Sequence, residues 1–344
     1  MAHSGAAWLD PVTNAGYVTG TGIQKEDFWG AMTIISPADT PFIANAQKSD
    51  DVMSYVVSWP EDTLPSVITA AGMYSSTYTP VARTVPTRPT NIVGKFDDYF
   101  AISNTDLRIA KRNGLAGIGD LLREHMDRSV KNMWRSIETR VFVQATNLRT
   151  SAFPTSTADA GPRMAALAAF ITTNASFCDA TAIGGGGATS TDGTANTITE
   201  KAFYTLLGNA WASGGAPADT FANRFALERV SAFTGNQTRI IAAEEGKLHR
   251  PVYSYANWYT DTMRFHIDRW VPTSGTATTT ADGQGGALLM LDMDRVRLRF
   301  LQRPAPIPIN GQGDFAAGGV VSECTLMVQG EAGHARMFGC PPTG

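Results

Sequence analysis

One stretch, Gly117 to Leu148 (GIGDLLREHMDRSVKNMWRSIETRVFVQATNL), constrains this chain more than any other. Its apolar residues fall at Ile118, Leu122, Met126, Val130, Met133, Ile137, Val141, Ala145 and Leu148. Steps of three and four place them on one face of an α-helix, and Leu121, Trp134 and Phe142 widen the stripe. No Gly or Pro interrupts Asp120 to Leu148, and Asp120 sets a negative charge on the unsatisfied donors of the first turn. At ~1.5 Å per residue the pattern predicts one helix of roughly 43 Å. That is well beyond the usual helix of a globular domain, in a chain whose remainder reads as strands and loops.

Before this spine, residues 1–48 read as an extended arm, with Gly16, Gly20 and Gly22 early and Pro37 and Pro41 favouring an extended path. Residues 49–103 alternate like strands at Tyr55, Val57 and Trp59 and again from Ile92 to Ile102. Pro65, Gly72, Pro80, Pro86 and Pro89 lie between, so the pattern is a long β-hairpin with a wide tip, a form that needs a neighbour for stability. Thr105 to Asn113 predicts a short helix ending at Gly114.

After the spine, Arg163 to Ile171 predicts a short helix and Gly184 to Asn196 a flexible loop. Thr197 and Glu200 have capping-box spacing ahead of a second amphipathic helix (Phe203, Leu206, Leu207, Ala210, Trp211) that closes at Gly214 and Gly215. A strand over Phe221 to Leu227 and a helix over Glu228 to Thr234 follow, then strand-prone Val252 to Val271. Val296, Leu298 and Phe300 alternate with Arg295, Arg297 and Arg299, a half-buried strand with one basic face. Glu323 to Gln329 and His334 to Phe338 are further strands, turning at Gly330 to Gly333.

Charge narrows the function. Only 17% of residues are charged and the formal net charge is −3, which argues against a protein that neutralises many phosphates. Low charge with abundant small residues suits extensive burial against copies of the same chain. Residues 1–105 carry 5 Lys/Arg and 10 Asp/Glu, whereas residues 106–149 carry 9 and 5. An acidic hairpin lying across another copy's basic spine would be steered by that asymmetry. Cys178, Cys324 and Cys340 form no C-x-x-C pair and read as reduced thiols in a cytoplasmic setting. No secretory signal is visible at the start, and the longest apolar run, Met164 to Ile171, is too short to cross a bilayer.

No catalytic constellation emerges, and neither a cofactor nor a metal is expected. The GGGG run at Gly184 lacks the ending of a phosphate loop. Asp292 and Asp294 have the spacing of a possible Mg²⁺ pair, although on a strand they read better as solvent-facing acids. Glu244 and Glu245 are adjacent and point apart on a helix. The histidines show no zinc spacing, His125 reads as a boundary residue of the spine, and no Ser sits in G-x-S-x-G. The Arg295, Arg297, Arg299 face admits DNA, but reads better as an interface or a salt-bridged sheet face.

The order of parts, and five motifs within it, resemble a known family. ISPADTPF (Ile35 to Phe42) resembles its arm motif, and PTNIVGKFDDYFAISNT (Pro89 to Thr105) the return strand of its extended loop. ITEKAFYTLLGNAWASGGAPADTFAN (Ile198 to Asn223) resembles a helix, turn and strand of its A domain. LLMLDMDRVRLRFLQRP (Leu288 to Pro304) and GDFAAGGVVSECTLMVQGEAGHARMFG (Gly313 to Gly339) resemble its C-terminal strands. The family is the tailed-phage major capsid proteins of the Hong Kong 97-type (Johnson) fold, most closely a subgroup long described as a domain of unknown function.

The resemblance implies an α+β fold divided into an arm (1–48), an extended-loop hairpin (49–103), a peripheral (P) domain with the spine (104–160), an A domain (161–286) and returning strands of the P domain with the C-terminal segment (287–344). It implies a non-enzymatic subunit forming hexamers and pentamers of an icosahedral shell around double-stranded DNA, in the virion, after assembly in the host cytoplasm. A portal protein is implied as partner, with a decoration protein optional and no membrane. Because the arm motif begins at Ile35, scaffolding falls to a separate protein or a lost segment. Some relatives crosslink through a loop lysine; here the hairpin's Lys is Lys95, away from the tip, so no crosslink is expected. Inter-subunit contact candidates are Trp59, Glu61, Asp62, Arg83 and Arg88 on the hairpin and Arg128 and Arg135 on the spine. An encapsulin-like cellular compartment is the alternative within the fold, and a soluble β-rich hydrolase or binding module the alternative outside it.

Overall fold

The computed structural model describes residues 39–62, 85–112, 121–143, 164–177, 198–231, 233, 254–257, 259, 261–271, 286–309 and 313–338. The spine is α3, Leu121–Phe142, 22 residues and ~33 Å long. Val143 has already left the helix, so the predicted continuation fails there; Ala145 and Leu148 lie outside the described residues. Burial deepens along α3: Leu122 is 38% exposed, Met126 and Val130 are half-buried, and Met133, Ile137 and Val141 are buried. The apolar stripe therefore lies in the chain's own core only over its second half.

What covers that half is a four-stranded sheet in the order β1-β10-β11-β4, formed by β1 (Gln47–Ser49), β10 (Val296–Ile309), β11 (Phe315–Val328) and β4 (Gly94–Ser103). β10 and β11 are a long antiparallel pair from Val296↔Val328 to Ile309↔Ala317, with register shifts between Phe300 and Gln302 and between Gln302 and Ala305. Pro304, Pro306 and Pro308 are tolerated because β1 pairs with β10 only as far as Arg299, leaving the outer edge beyond without a described partner strand. Val296, Leu298 and Phe300 are buried as their alternation predicts. The 4-residue α4 (Leu167–Phe170) and the 5-residue α1 (Pro41–Asn45) complete this core, where Phe42 meets Phe142 at 5.6 Å and Phe221 at 5.5 Å.

A six-stranded sheet holds the second core. Its order is β5 (Ala175–Phe177), β12 (Ala335–Phe338), β9 (Gly286–Leu291), β6 (Asp219–Ala222), β8 (Asp261–Ile267) and β7 (Ser254–Asn257). Helices α5 (Glu200–Ala212) and α6 (Arg224–Ser231) bury Phe203, Leu206, Leu207, Ala226 and Val230 against it. The cap of α5 is Thr199, whose hydroxyl accepts the Ala202 amide at 3.3 Å, not the expected Thr197. With Glu200 in the first helical position, Thr199 has the extended backbone that aims a hydroxyl at the third amide. Likewise β6 and α6 begin earlier than the sequence suggests, because Asn223 stops the strand and its Oδ1 takes the Ala226 amide at 2.8 Å.

The hairpin is shorter than expected among the described residues. β2 (Val56–Ser58) pairs antiparallel with β3 (Thr90–Ile92), and Glu61 bridges Thr87. The continuation, β4, turns away to pair with β11 from Gly94↔Cys324 to Ser103↔Phe315. α2 (Asn104–Arg112) follows as predicted. The described end of the arm lies on the first core, where Phe42 and Ile43 are buried. The segment 287–344 is shared, since β9 and β12 lie in the six-stranded sheet and β10 and β11 in the other.

Candidate inter-subunit interface

The arm motif is clamped to the spine from two sides. Pro41 opens α1, whose exposed amides point at Glu138: Phe42 N donates to Oε1 at 2.6 Å and Ile43 N to Oε2 at 2.9 Å. Trp270 Nε1 donates to the Asp39 carbonyl at 3.0 Å, and Arg269 stands 3.9 Å from the Asp39 carboxylate. Sequence reasoning passed over Glu138 and Asp268. The available signal was an acid at Glu138 on the Trp134, Glu138, Phe142 line that widens the apolar stripe.

The hairpin base is fixed by side chains of its own chain. Trp59 is 2% exposed, packs 5.8 Å from Phe170, and donates Nε1 to Glu61 Oε1 at 2.9 Å. The same oxygen accepts the Gly330 amide at 2.8 Å. Within the chain the Trp59 ring is core, and the Glu61 carboxylate ties the hairpin to the turn before β12. Asp62 and Arg88 are exposed, and Arg83 lies outside the described residues. Also exposed are Met53 (96%) and Tyr55 ahead of the hairpin, Val56 at the start of β2, and Val85 on its return side, an apolar group that the candidate set omitted.

On the spine, Arg128 pairs with Glu124 at 2.8 Å and Arg135 lies over the Trp270 ring at 5.4 Å, both half-buried. His125 stacks on Phe100 at 5.6 Å, the boundary position expected of it. The exposed surface of α3 thus combines Leu122, the Glu124–Arg128 pair, Asp127 and Lys131.

On the basic strand Arg297 is exposed, whereas its neighbours are paired within the chain. Arg299 Nε meets Asp51 at 2.8 Å, Arg303 Nε meets Asp50 at 2.7 Å and Arg295 Nε meets Asp292 at 3.2 Å. The hydrogen bond from Arg299 holds the Asp51 carboxyl down at about 2, helped by Ser49. Asp292 and Asp294 lie at a 3₁₀ turn and not on a strand. Asp292 caps that turn and also accepts the Ala216 amide at 3.3 Å, which removes it as half of a Mg²⁺ pair.

Other titratable groups are likewise absorbed in structure. Burial opposes the charge of Asp219, but His266 at 2.9 Å and Arg264 at 2.7 Å outweigh it and pull its carboxyl below the usual range. Burial pulls His334 down, so the neutral ring accepts the Asp292 amide at Nδ1, 3.1 Å away, and donates Nε2 to the Gln329 carbonyl. Cys324 is buried and its thiol pushed up by burial; Cys178, Cys340, Glu244, Glu245 and the GGGG run lie outside the described residues. Among the described residues no group of three or more His, Cys, Asp or Glu is placed to hold a metal, and no helix is long and apolar enough to cross a membrane.

A spine helix on a long-stranded sheet, joined through α1 to a second sheet with its own helices, is the α+β architecture of phage shell subunits. The cyanophage A-1(L) capsid asymmetric unit superposes with a TM-score of 0.59 at 10% identity, over 94% of this chain and 99% of that one. The capsid of an empty GTA particle gives 0.55 at 13% identity, over 98% of each chain. Mycobacterium phage Bobi gives 0.56 at 11%, over 93% of this chain and 96% of that one. At such identities the likeness defines the Hong Kong 97-type fold. A search of curated proteins gave no match. Residues 12–341 match the SU10 major capsid protein family, and the chain belongs to that family. It is a tailed-phage major capsid protein, a structural component of multimeric virion shells and not an enzyme.

Proposed function

We propose that copies of this chain group as hexamers and pentamers that close an icosahedral shell around double-stranded DNA, without sequence-specific contacts. The observation that carries this reading is the exposed apolar set Met53, Tyr55, Val56 and Val85 around the hairpin base. A segment so exposed is stabilised when a neighbour covers it, and interfaces of obligate assemblies bury ~2,000 Å² or more. The half-exposed start of the spine stripe, with Leu122, Met126 and Val130, is the matching surface on the next copy. Asp62 and Arg88 on the hairpin, and Arg128 and Arg135 on the spine, are the proposed polar contacts; Arg83 stays in that set from the sequence alone.

In this reading residues 1–48 form the arm, anchored from Asp39 onward, 49–103 the extended loop and 104–160 the P domain. Residues 161–286 form the A domain and 287–344 return to the P domain, while lending β9 and β12 to the A domain. A formal net charge of −3, with Arg295, Arg299 and Arg303 paired within the chain, suits DNA that is confined and not bound. A separate scaffolding protein, a portal and an optional decoration protein complete the head, which assembles in the host cytoplasm. Cryo-electron microscopy of heads from infected cells tests this: hexamers and pentamers around layered duplex density are expected. A different stoichiometry, or a protein cargo in place of DNA, would overturn it.

A further inference from the structure

Shell building gives no reason to bury two acids against each other, yet Glu138 and Asp268 are each 0% exposed. Glu138 receives the Phe42 and Ile43 amides, so its carboxyl group serves the first turn of α1. Asp268 follows β8 directly: its amide donates to the Ala222 carbonyl at 2.9 Å and its Oδ1 accepts the Trp270 amide at 2.8 Å. The two carboxyl groups lie against each other, and Asp268 Oδ2 is buried with no hydrogen-bond donor. Ionised carboxylates only accept, so contact between them requires a proton. Two bare charges so close in a fully buried site cannot both persist.

The surrounding charges do not replace that proton. From the arm comes Asp39, paired with Arg269 of the segment after β8. From α3 comes Arg135, whose guanidinium is stacked over Trp270. From β8 comes His266, engaged by Asp219 of β6. Among the described residues neither Glu138 nor Asp268 makes an ion pair with a basic side chain.

We propose that one proton shared between Glu138 and Asp268 latches the arm motif to the spine helix, holding α1 in place at acid and neutral pH and loosening it in alkali. The pair holds the proton as a unit. Burial raises the Glu138 carboxyl well above the usual carboxylate range, and the hydrogen bond and charge of Asp268 raise it further. Burial also raises Asp268. A raised value in the folded chain gives stability that is full below the ordinary carboxylate range and is lost as pH climbs to the raised one. The sign is opposite to that of ordinary acid unfolding. The latch is a property of the single chain and does not rest on the shell reading.

Hydrogen exchange of the full chain, corrected for intrinsic rates, tests it at the Phe42 and Ile43 amides. Their protection falls by about tenfold or more between about pH 6 and about pH 9, while amides of β11 hold theirs. Asp268→Asn supplies a permanent donor in place of the proton, so its protection is high at both ends and the slope disappears. Glu138→Gln keeps one of the two amide bonds, and its lower protection is independent of pH. A flat wild-type profile, loss in parallel with β11, or an unchanged slope in Asp268→Asn would overturn the proposal. Recovery of alkaline protection by millimolar Mg²⁺ would also overturn it, by giving the pair to a cation.

Discussion

Asn91 Nδ2 donates to the Leu326 carbonyl at 2.6 Å across 235 positions of sequence, while its Oδ1 accepts the Ile92 amide at 2.8 Å and the Ala165 amide at 3.0 Å. One buried amide therefore joins the hairpin base, the central strand β11 and the segment leading to α4. Asn91→Ala leaves these backbone groups without partners and should cost about 2–4 kcal/mol. Chemical denaturation of the unassembled subunit measures it; a loss under about 0.5 kcal/mol would deny the side chain this role.

The backbone of Gly215 lies against that of Gly333, so a methyl group on Gly215 would collide with the Gly333 carbonyl. Neither backbone has a flexible end that could yield. Gly215→Ala should therefore yield insoluble or markedly destabilised protein. Gly214, at φ +83° with open space around its α-carbon, should accept Asn at a cost of about 1 kcal/mol or less. Thermal unfolding of the two variants side by side checks the contrast.

Met133→Asp with Ile137→Asp puts two charges into the covered half of the spine stripe, where both native side chains are buried. The cost approaches the whole ~5–15 kcal/mol folding margin. Soluble, assembling double mutants would refute the assignment of that face. Leu122→Asp, by contrast, should fold and fail later, at assembly, because Leu122 is exposed in the single chain.

Much of this architecture is legible in the sequence. The period of α3, the alternation of Val296, Leu298 and Phe300, and the closing glycines of α5 each follow from local chemistry. The misses arise where long-range partners decide. Thr199 caps α5 directly after Ile198, which packs in the second core. β4 reads as the second arm of a hairpin, yet it pairs with β11, more than 200 positions away, a partner that alternation cannot name. Trp59 reads as a hairpin contact candidate; its ring packs on Phe170 beside Glu61, which is held by Gly330. Glu138 is the sharpest case, a charged residue whose partners are two arm amides and another acid.

Glu61 and Thr87 exchange both backbone hydrogen bonds at 2.8 Å, which closes the hairpin base independently of its tip. Deleting Leu64 to Pro86 leaves Asp62 and Thr63 as a two-residue connection across that bridge, and Thr63→Gly fits it to a tight hairpin turn. The shortened subunit should unfold with nearly unchanged stability and assemble poorly. Normal particles from it would remove the tip from its proposed role between copies.

The central claim is that this chain builds shells, and negative-stain electron microscopy of the purified full-length protein, read with its size-exclusion profile, tests it most directly. Closed shells, tubes or isolated capsomer rings are the expected result. A folded monomer at 36.8 kDa that never assembles, even with crowding agents or a co-expressed scaffold, would contradict it.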